Sequence, residues 1–139
     1  MSKQTIKIIG GGLAGCEGAL QLLKRGFAVK MYEMRPTKTT GAHKGDSLAE
    51  LVCSNSLKST EPCTASGLLK KELDMLGCAL LPIARECGVP SGSALSVDRE
   101  KFSKAVEKEL AKYLDFTLIR EEVTSLDEDI PTIVASGPL

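Results

Sequence analysis

Tryptophan is absent from these 139 residues, and two tyrosines and three phenylalanines are the only aromatic side chains. Few platforms therefore exist on which the bases of a single strand could stack. Histidine occurs once, as His43, and no C-x-x-C pair is present. A metal cluster of the zinc type is not expected from that set. Excess charge is missing as well: 18 basic and 18 acidic residues cancel. That removes a global field for nucleic acid or anionic lipid. No apolar run approaches the roughly 18 residues a membrane span needs. The first apolar run, Ile6 to Ile9, is too short for a secretory leader, and glycine follows it at once. Internal repeats and low-complexity segments are also lacking.

What is present fits one α/β domain over residues 1–139. The cysteines, Cys16, Cys53, Cys63, Cys78 and Cys87, are odd in number and read as free thiols in a reducing cytoplasm. Thr5 to Ile9 is β-branched, apolar and bounded by glycine, the pattern of a buried parallel strand. Leu13 to Arg25 has helical spacing, with Cys16, Ala19, Leu20 and Leu23 on one side and Gly26 as the residue that ends it. Ala28 to Glu33 is the second strand. Strand, glycine turn, helix and strand thus follow one another within the length of a βαβ unit.

Residues 35–62 break the pattern. This long polar connection is expected to be a functional, mobile loop, with a short helix over 47–52. Ser66 to Leu76 reads as a helix whose inner side is Leu68, Leu69, Leu73 and Leu76. A further helical piece is expected over Cys78 to Glu86, a turn over Gly88 to Gly92 and a strand over Ala94 to Val97. Asp98 is a good N-cap for a helix from Arg99 to Lys112, with Phe102, Ala105, Val106 and Leu110 inward. Strands are expected at Phe116 to Glu121, Val123 to Leu126 and Thr132 to Ser136.

The main motif is Gly10-Gly11-Gly12-Leu13-Ala14-Gly15, a G-x-G-x-x-G. Gly10 permits the tight turn out of the first strand. Gly12 keeps side-chain atoms away from a pyrophosphate, and Gly15 lets the helix pack closely on the sheet. The helix N-terminus then offers unpaired N–H groups and the positive end of a dipole to phosphates. The same glycines would suit a turn that only packs a helix on a sheet. The strand before, the helix after and an acid ending the next strand favour the nucleotide. That acid is Glu33, placed to accept hydrogen bonds from ribose hydroxyls and to repel a 2′-phosphate. Arg35 reads either as an offset to that repulsion or as a solvated loop arginine. The tail Thr132 to Gly137, a strand ending in small residues and glycine, favours FAD over NAD as the dinucleotide. Such a strand recurs in two-dinucleotide flavoproteins close to the flavin nucleotide.

Five blocks in order go beyond a generic nucleotide fold. They are Gly-Gly-Gly-Leu-Ala-Gly (10–15), Tyr-Glu-Met-Arg-Pro (32–36), Ala-Glu-Leu-Val-Cys-Ser-Asn-Ser-Leu-Lys (49–58), Val-Pro-Ser-Gly-Ser-Ala-Leu-Ser-Val-Asp-Arg (89–99) and Ala-Ser-Gly-Pro-Leu (135–139). The set resembles the folate- and FAD-dependent tRNA (uracil-5-)-methyltransferases, the TrmFO family, along essentially the whole chain. The resemblance implies a three-layer, Rossmann-like FAD-binding domain with a central parallel sheet, incomplete in this chain. It also implies a reaction. Methylenetetrahydrofolate supplies a one-carbon unit, reduced FAD carries and reduces it with NADH or NADPH, and C5 of a uridine in the tRNA T loop receives the methyl group. Gly10, Gly11, Gly12, Leu13, Ala14 and Gly15 would line FAD, and Glu33 would hold its ribose.

By the same resemblance Cys53 would be one of two catalytic cysteines, either as nucleophile or as a group that protects the flavin or moves a proton. Thiolate addition to uracil would make C5 nucleophilic, which needs a lowered thiol pKa. Lys44 and Lys58 are the nearby cations in sequence. On spacing alone Cys53 reads as a small buried residue beside Leu51 and Val52. Cys16, Cys63, Cys78 and Cys87 read as structural. His43, in the polar loop, could meet folate, RNA or flavin, or only solvent. The chain stops just after a strand and turn, as expected for a piece of a longer, cytoplasmic enzyme that is inactive by itself. Alternatives are a related FAD-dependent RNA-modifying enzyme and a nucleotide-binding scaffold.

Overall fold

The computed structural model describes residues 3–126 and 129–137. Four strands form a parallel sheet: β1 (Thr5–Ile9), β2 (Ala28–Tyr32), β6 (Phe116–Ile119) and β7 (Thr132–Val134). Their order is β6-β2-β1-β7. Residues in register share a face, so Ile8, Met31, Leu118 and Ile133 line one side and Lys7, Lys30, Thr117 and Thr132 cross the other. The first side packs on α1 (Leu13–Lys24), whose Cys16, Ala19, Leu20 and Leu23 are buried. α4 (Arg99–Ala111) adds Phe102, Val106 and Leu110 to the same core. The second side carries the exposed Lys30 and Thr117, and Lys7 stands 4.8 Å over the Tyr32 ring. The expected α/β class and parallel sheet are therefore present. Of the two flanking layers, the one holding α1 and α4 is found among the described residues.

A second, antiparallel sheet lies inside the β2-to-β6 connection. It comprises β3 (Ser56–Ser59), β4 (Gly88–Val89) and β5 (Ala94–Val97), in the order β3-β5-β4. α2 (Ala65–Met75) and α3 (Leu80–Glu86) pack beside it. Asp98 caps α4 as its sequence suggests, accepting from Lys101 N–H at 3.0 Å. Gly26 follows α1 at φ 86, the left-handed backbone glycine accepts readily.

Four expectations need correction. Leu68, Leu69 and Leu76 of the α2 region face outward. The helix instead turns Gly67 and Lys70 inward, with Lys70 Nζ donating to the Ser59 and Ser66 carbonyls at 3.0 and 3.2 Å. No helix forms over 47–52, because Ala49 takes φ 52 and spends its N–H on the Gly11 carbonyl. Residues 123–126 form no strand. Both edge strands of the sheet, β6 and β7, keep an outer side free among the described residues, and 123–126 adds to neither. Conversely, polar residues 56–59 and the turn-rich 88–89 do enter strands, recruited by β5 from both sides.

Candidate cofactor site

The strand order reverses between β1 and β7: the chain builds outward from β1 to β2 and β6, then returns to the other flank of β1. Such a switch point leaves a crevice beyond the carboxyl ends of the strands, the usual ligand position in open α/β sheets. A cleft of about 360 Å³ opens there. Its walls are the glycine turn, the end of β2, the loop through Thr40 and His43, residues 121–123 and the tail after β7.

Each glycine of the turn has its own packing reason. Gly10 has φ 106, and a Cβ there would sit 2.3 Å from the Ala135 carbonyl oxygen. A Cβ at Gly15 would sit 1.9 Å from the Gly10 carbonyl oxygen. At Gly11 the Leu48 side chain occupies the space, 2.4 Å from where a Cβ would begin. At Gly12 nothing lies within 4 Å. Gly12 is also the N-cap of α1, and no side chain caps that helix and no acid stands in its first turn. The exposed Leu13 and Ala14 follow. Open space therefore lies above N–H groups that the helix cannot satisfy itself. That is the shape and polarity a diphosphate needs.

Glu33 stands beside this cradle, 6% exposed. Its Oε2 accepts from Gly11 N–H at 2.8 Å, and its Oε1 accepts from Arg35 N–H at 3.1 Å and Arg35 Nε at 2.9 Å. A carboxylate oxygen has two lone pairs, so Oε2 keeps one for a ligand hydroxyl. Burial pushes the Glu33 carboxyl up, but the Arg35 and Gly11 hydrogen bonds outweigh it and hold it at about 2. It is a carboxylate at neutral pH.

Arg35 is neither a solvated loop residue nor a free cation. It is 1% exposed, and besides Glu33 it reaches Glu50 Oε2 through Nη1 at 2.6 Å and the Gly45 carbonyl at 3.3 Å. Burial works against its charge, yet the two carboxylates raise its pKa further. Its backbone carbonyl accepts from Arg120 Nη1 at 3.1 Å. The residue thus organises the loop under the cleft.

Cys53 is exposed; the buried alternative does not hold. Its neighbour Val52 lines the cleft. Among the described residues no hydrogen bond or ion pair links Cys53 to Lys44 or Lys58, the two cations nearest in sequence. Cys16 is buried against the Gly11 carbonyl at 3.4 Å, and burial pushes its thiol up to about 12. His43 lines the cleft with Nδ1 2.6 Å from Thr40 Oγ1. No group of three or more potential metal ligands occurs among the described residues. Pro138 and Leu139 of the last motif block lie outside them.

Glu50, Leu48 and the 121–123 segment carry no local sequence signal of their part in the site. Glu50 meets Arg35 from 15 residues away, and Leu48 covers Gly11 from a polar stretch. A larger, open hollow of about 420 Å³ lies between α1 and α2. Its Glu17 is already taken up by the N–H groups of Ala79 and Leu80.

These features define a Rossmann-like α/β domain with a glycine turn at its switch point. Residues 5–137 match the family model described as Glucose inhibited division protein A, and the chain belongs to that family. It is 52% identical, over its full length, to the methylenetetrahydrofolate--tRNA-(uracil-5-)-methyltransferase TrmFO of Bacillus subtilis (strain 168), covering 32% of that protein. It is 57% identical over 136 residues to the TrmFO of Dictyoglomus turgidum, 98% of this chain and 31% of that one. The chain thus spans about a third of the length of the curated relatives it matches. Among solved structures, Thermovibrio ammonificans THI4 is similar over 84% of this chain and 38% of that one, at 17% identity and a TM-score of 0.48. The resemblance carried by the five motif blocks therefore extends over the whole chain.

Proposed function

We propose that this chain holds the ADP half of FAD in a methylenetetrahydrofolate-dependent tRNA (uracil-5-)-methyltransferase, forming 5-methyluridine in the T loop. The observation that carries the cofactor reading is the cradle at Gly12. A Cβ would fill it, no protein atom does, and α1 presents its N-terminus there beside a buried carboxylate. Gly10, Gly11 and Gly15 shape the turn, and Leu13 and Ala14 add backbone donors. Glu33 accepts from ribose, and Arg35 holds Glu33 charged and in place. A 2′-phosphate would face Glu33 and find Arg35 already spent on two carboxylates, which favours an unphosphorylated ribose. FAD supplies the redox chemistry of one-carbon reduction when bound, with NADH or NADPH as reductant.

The substrates, tRNA and methylenetetrahydrofolate, come from the names of relatives about half identical over the whole chain. Cys53 is one of two catalytic cysteines in this reading, as its motif block implies; its thiol is exposed beside the cleft-lining Val52, which supports that role. No described helix is long and apolar enough to cross a membrane; in this reading the tRNA substrate places the enzyme in the cytoplasm. The full-length enzyme should purify yellow, with a flavin spectrum. Cys53→Ala should keep that spectrum and lose methyl transfer. Unchanged turnover in that variant would remove Cys53 from catalysis, and a colourless protein that takes up no FAD would remove the cofactor.

A further inference from the structure

The charged groups beneath the cleft form one connected chain that ends three residues from Cys53, and Glu50 is its hub. Glu50 Oε2 accepts from Arg35 Nη1 at 2.6 Å, and Oε1 accepts from the N–H groups of Lys44 and Gly45 at 3.0 and 3.2 Å. Arg35 passes the connection to Glu33, and Glu33 to Gly11 N–H. Two further contacts lay the same segment across the glycine turn. Ala49 N–H donates to the Gly11 carbonyl at 2.8 Å, and the Leu48 side chain closes over Gly11. α4 secures it from behind, with Glu107 accepting from Leu48 N–H at 2.8 Å. Ala49 takes φ 52, a backbone that residues other than glycine seldom adopt. Residues 48–50 are therefore held as a strap by their partners rather than by local preference.

We propose that Glu50 is a positioning residue that fixes Cys53 relative to the nucleotide cleft, so that nucleotide occupancy and the setting of Cys53 are coupled. The proposal rests on the FAD reading above. Glu50 acts through Arg35 and the strap, not on the reacting atoms. A nucleotide that engages the turn and Glu33 stabilises the two features on which the strap leans. Such coupling needs a structured element that both sites bias, and the strap is that element, so loosening it should uncouple Cys53 from the nucleotide. Glutamine tests it at constant size. Both Glu50 oxygens face donors, so an amide sets its NH₂ against a donor in either orientation.

The test uses the full-length enzyme stripped of its flavin, with ADP as probe. Calorimetry measures its binding, and peptide mass spectrometry follows iodoacetamide alkylation of Cys53 with and without saturating ADP. Cys63 is exposed and lies off the strap, so it serves as internal reference. In the wild-type protein ADP should slow Cys53 alkylation about threefold or more while Cys63 is unchanged. In Glu50→Gln, ADP should still bind but no longer alter the Cys53 rate. Glu50→Asp keeps the charge but draws the carboxylate back by one methylene from Arg35 Nη1 and the Lys44 and Gly45 N–H groups, and it should show the same loss if Glu50→Gln does not fold. The same ADP response in the variants as in the wild type overturns the proposal. So does a wild-type protein that binds ADP with no change at Cys53, which leaves the cofactor reading standing. Failure of ADP to bind overturns the cofactor reading and this proposal with it.

Discussion

At Gly15 a side chain would begin 1.9 Å from the Gly10 carbonyl oxygen, whereas at Arg35 a long side chain runs through the interior to meet two carboxylates. The two regions border the same cleft and are held by opposite means. The turn is held by contact: backbone approaches backbone so closely that only hydrogen fits. The segment that crosses it is held by charge, in a cluster of two acids and one base. Contact of the first kind is written locally, as a spacing of glycines. Pairing of the second kind joins residues up to 15 positions apart and leaves no local mark.

The comparison can be broken from either side, and the charged side should give the larger effect. Arg35→Ala leaves the buried Glu33 and the half-buried Glu50 without their cation. Breaking a buried pair in this way costs about 3–5 kcal/mol, read as a lower midpoint in chemical denaturation. Gly15→Ala drives a methyl group into the Gly10 carbonyl. Overpacking against rigid backbone costs about 2–3 kcal/mol, by the same measurement and with no dependence on salt or pH.

Acid separates the two regions without mutation. Glu33 sits at about 2 when folded, against 4.5 ordinarily, so the unfolded chain binds the proton first. Its contribution is complete above pH 4.5 and is lost as pH falls toward 2. Glu17 and Asp74 are also held below their usual range. Burial opposes this at Glu17, where N–H groups of Ala79 and Leu80 and the Gln21 side chain prevail; at Asp74 the Arg85 hydrogen bond is the main cause. Thermal midpoints should therefore fall between pH 5 and 3 by the general rule for paired carboxylates. Glu33→Gln should flatten part of that slope, and Gly15→Ala should leave it unchanged. Equal slopes in Glu33→Gln and wild type would mean the cluster does not hold Glu33 as described.

The same contrast explains what the sequence disclosed. β1, α1 and β2 were legible because their apolar spacing and glycines act within about 30 residues. Asp98 was legible as a cap for the same reason. α2 was legible as a helix but not in its orientation. Leu68, Leu69 and Leu76 announce an apolar side, yet periodicity does not say whether the surface that covers it lies among these residues. Residues 56–59 are too polar to signal a strand, and pairing with β5 alone makes them one. At the site, Gly12 and Glu33 could be named from spacing. Glu50 could not, because its role exists only once Arg35 is buried beside it. Cys53 was singled out by a motif block, and its exposure became visible only in the fold.

Gly12 offers the most direct measurement. Its position is open where those of Gly10, Gly11 and Gly15 are filled, so Gly12→Ala separates ligand binding from folding. Calorimetric titration of the flavin-free full-length enzyme with ADP should show wild-type binding and a loss of about tenfold or more in Gly12→Ala, from a methyl group placed where the diphosphate approaches the backbone. The denaturation midpoint should barely move, by about the cost of a surface substitution. Undiminished ADP affinity in that variant, at unchanged stability, would contradict the account.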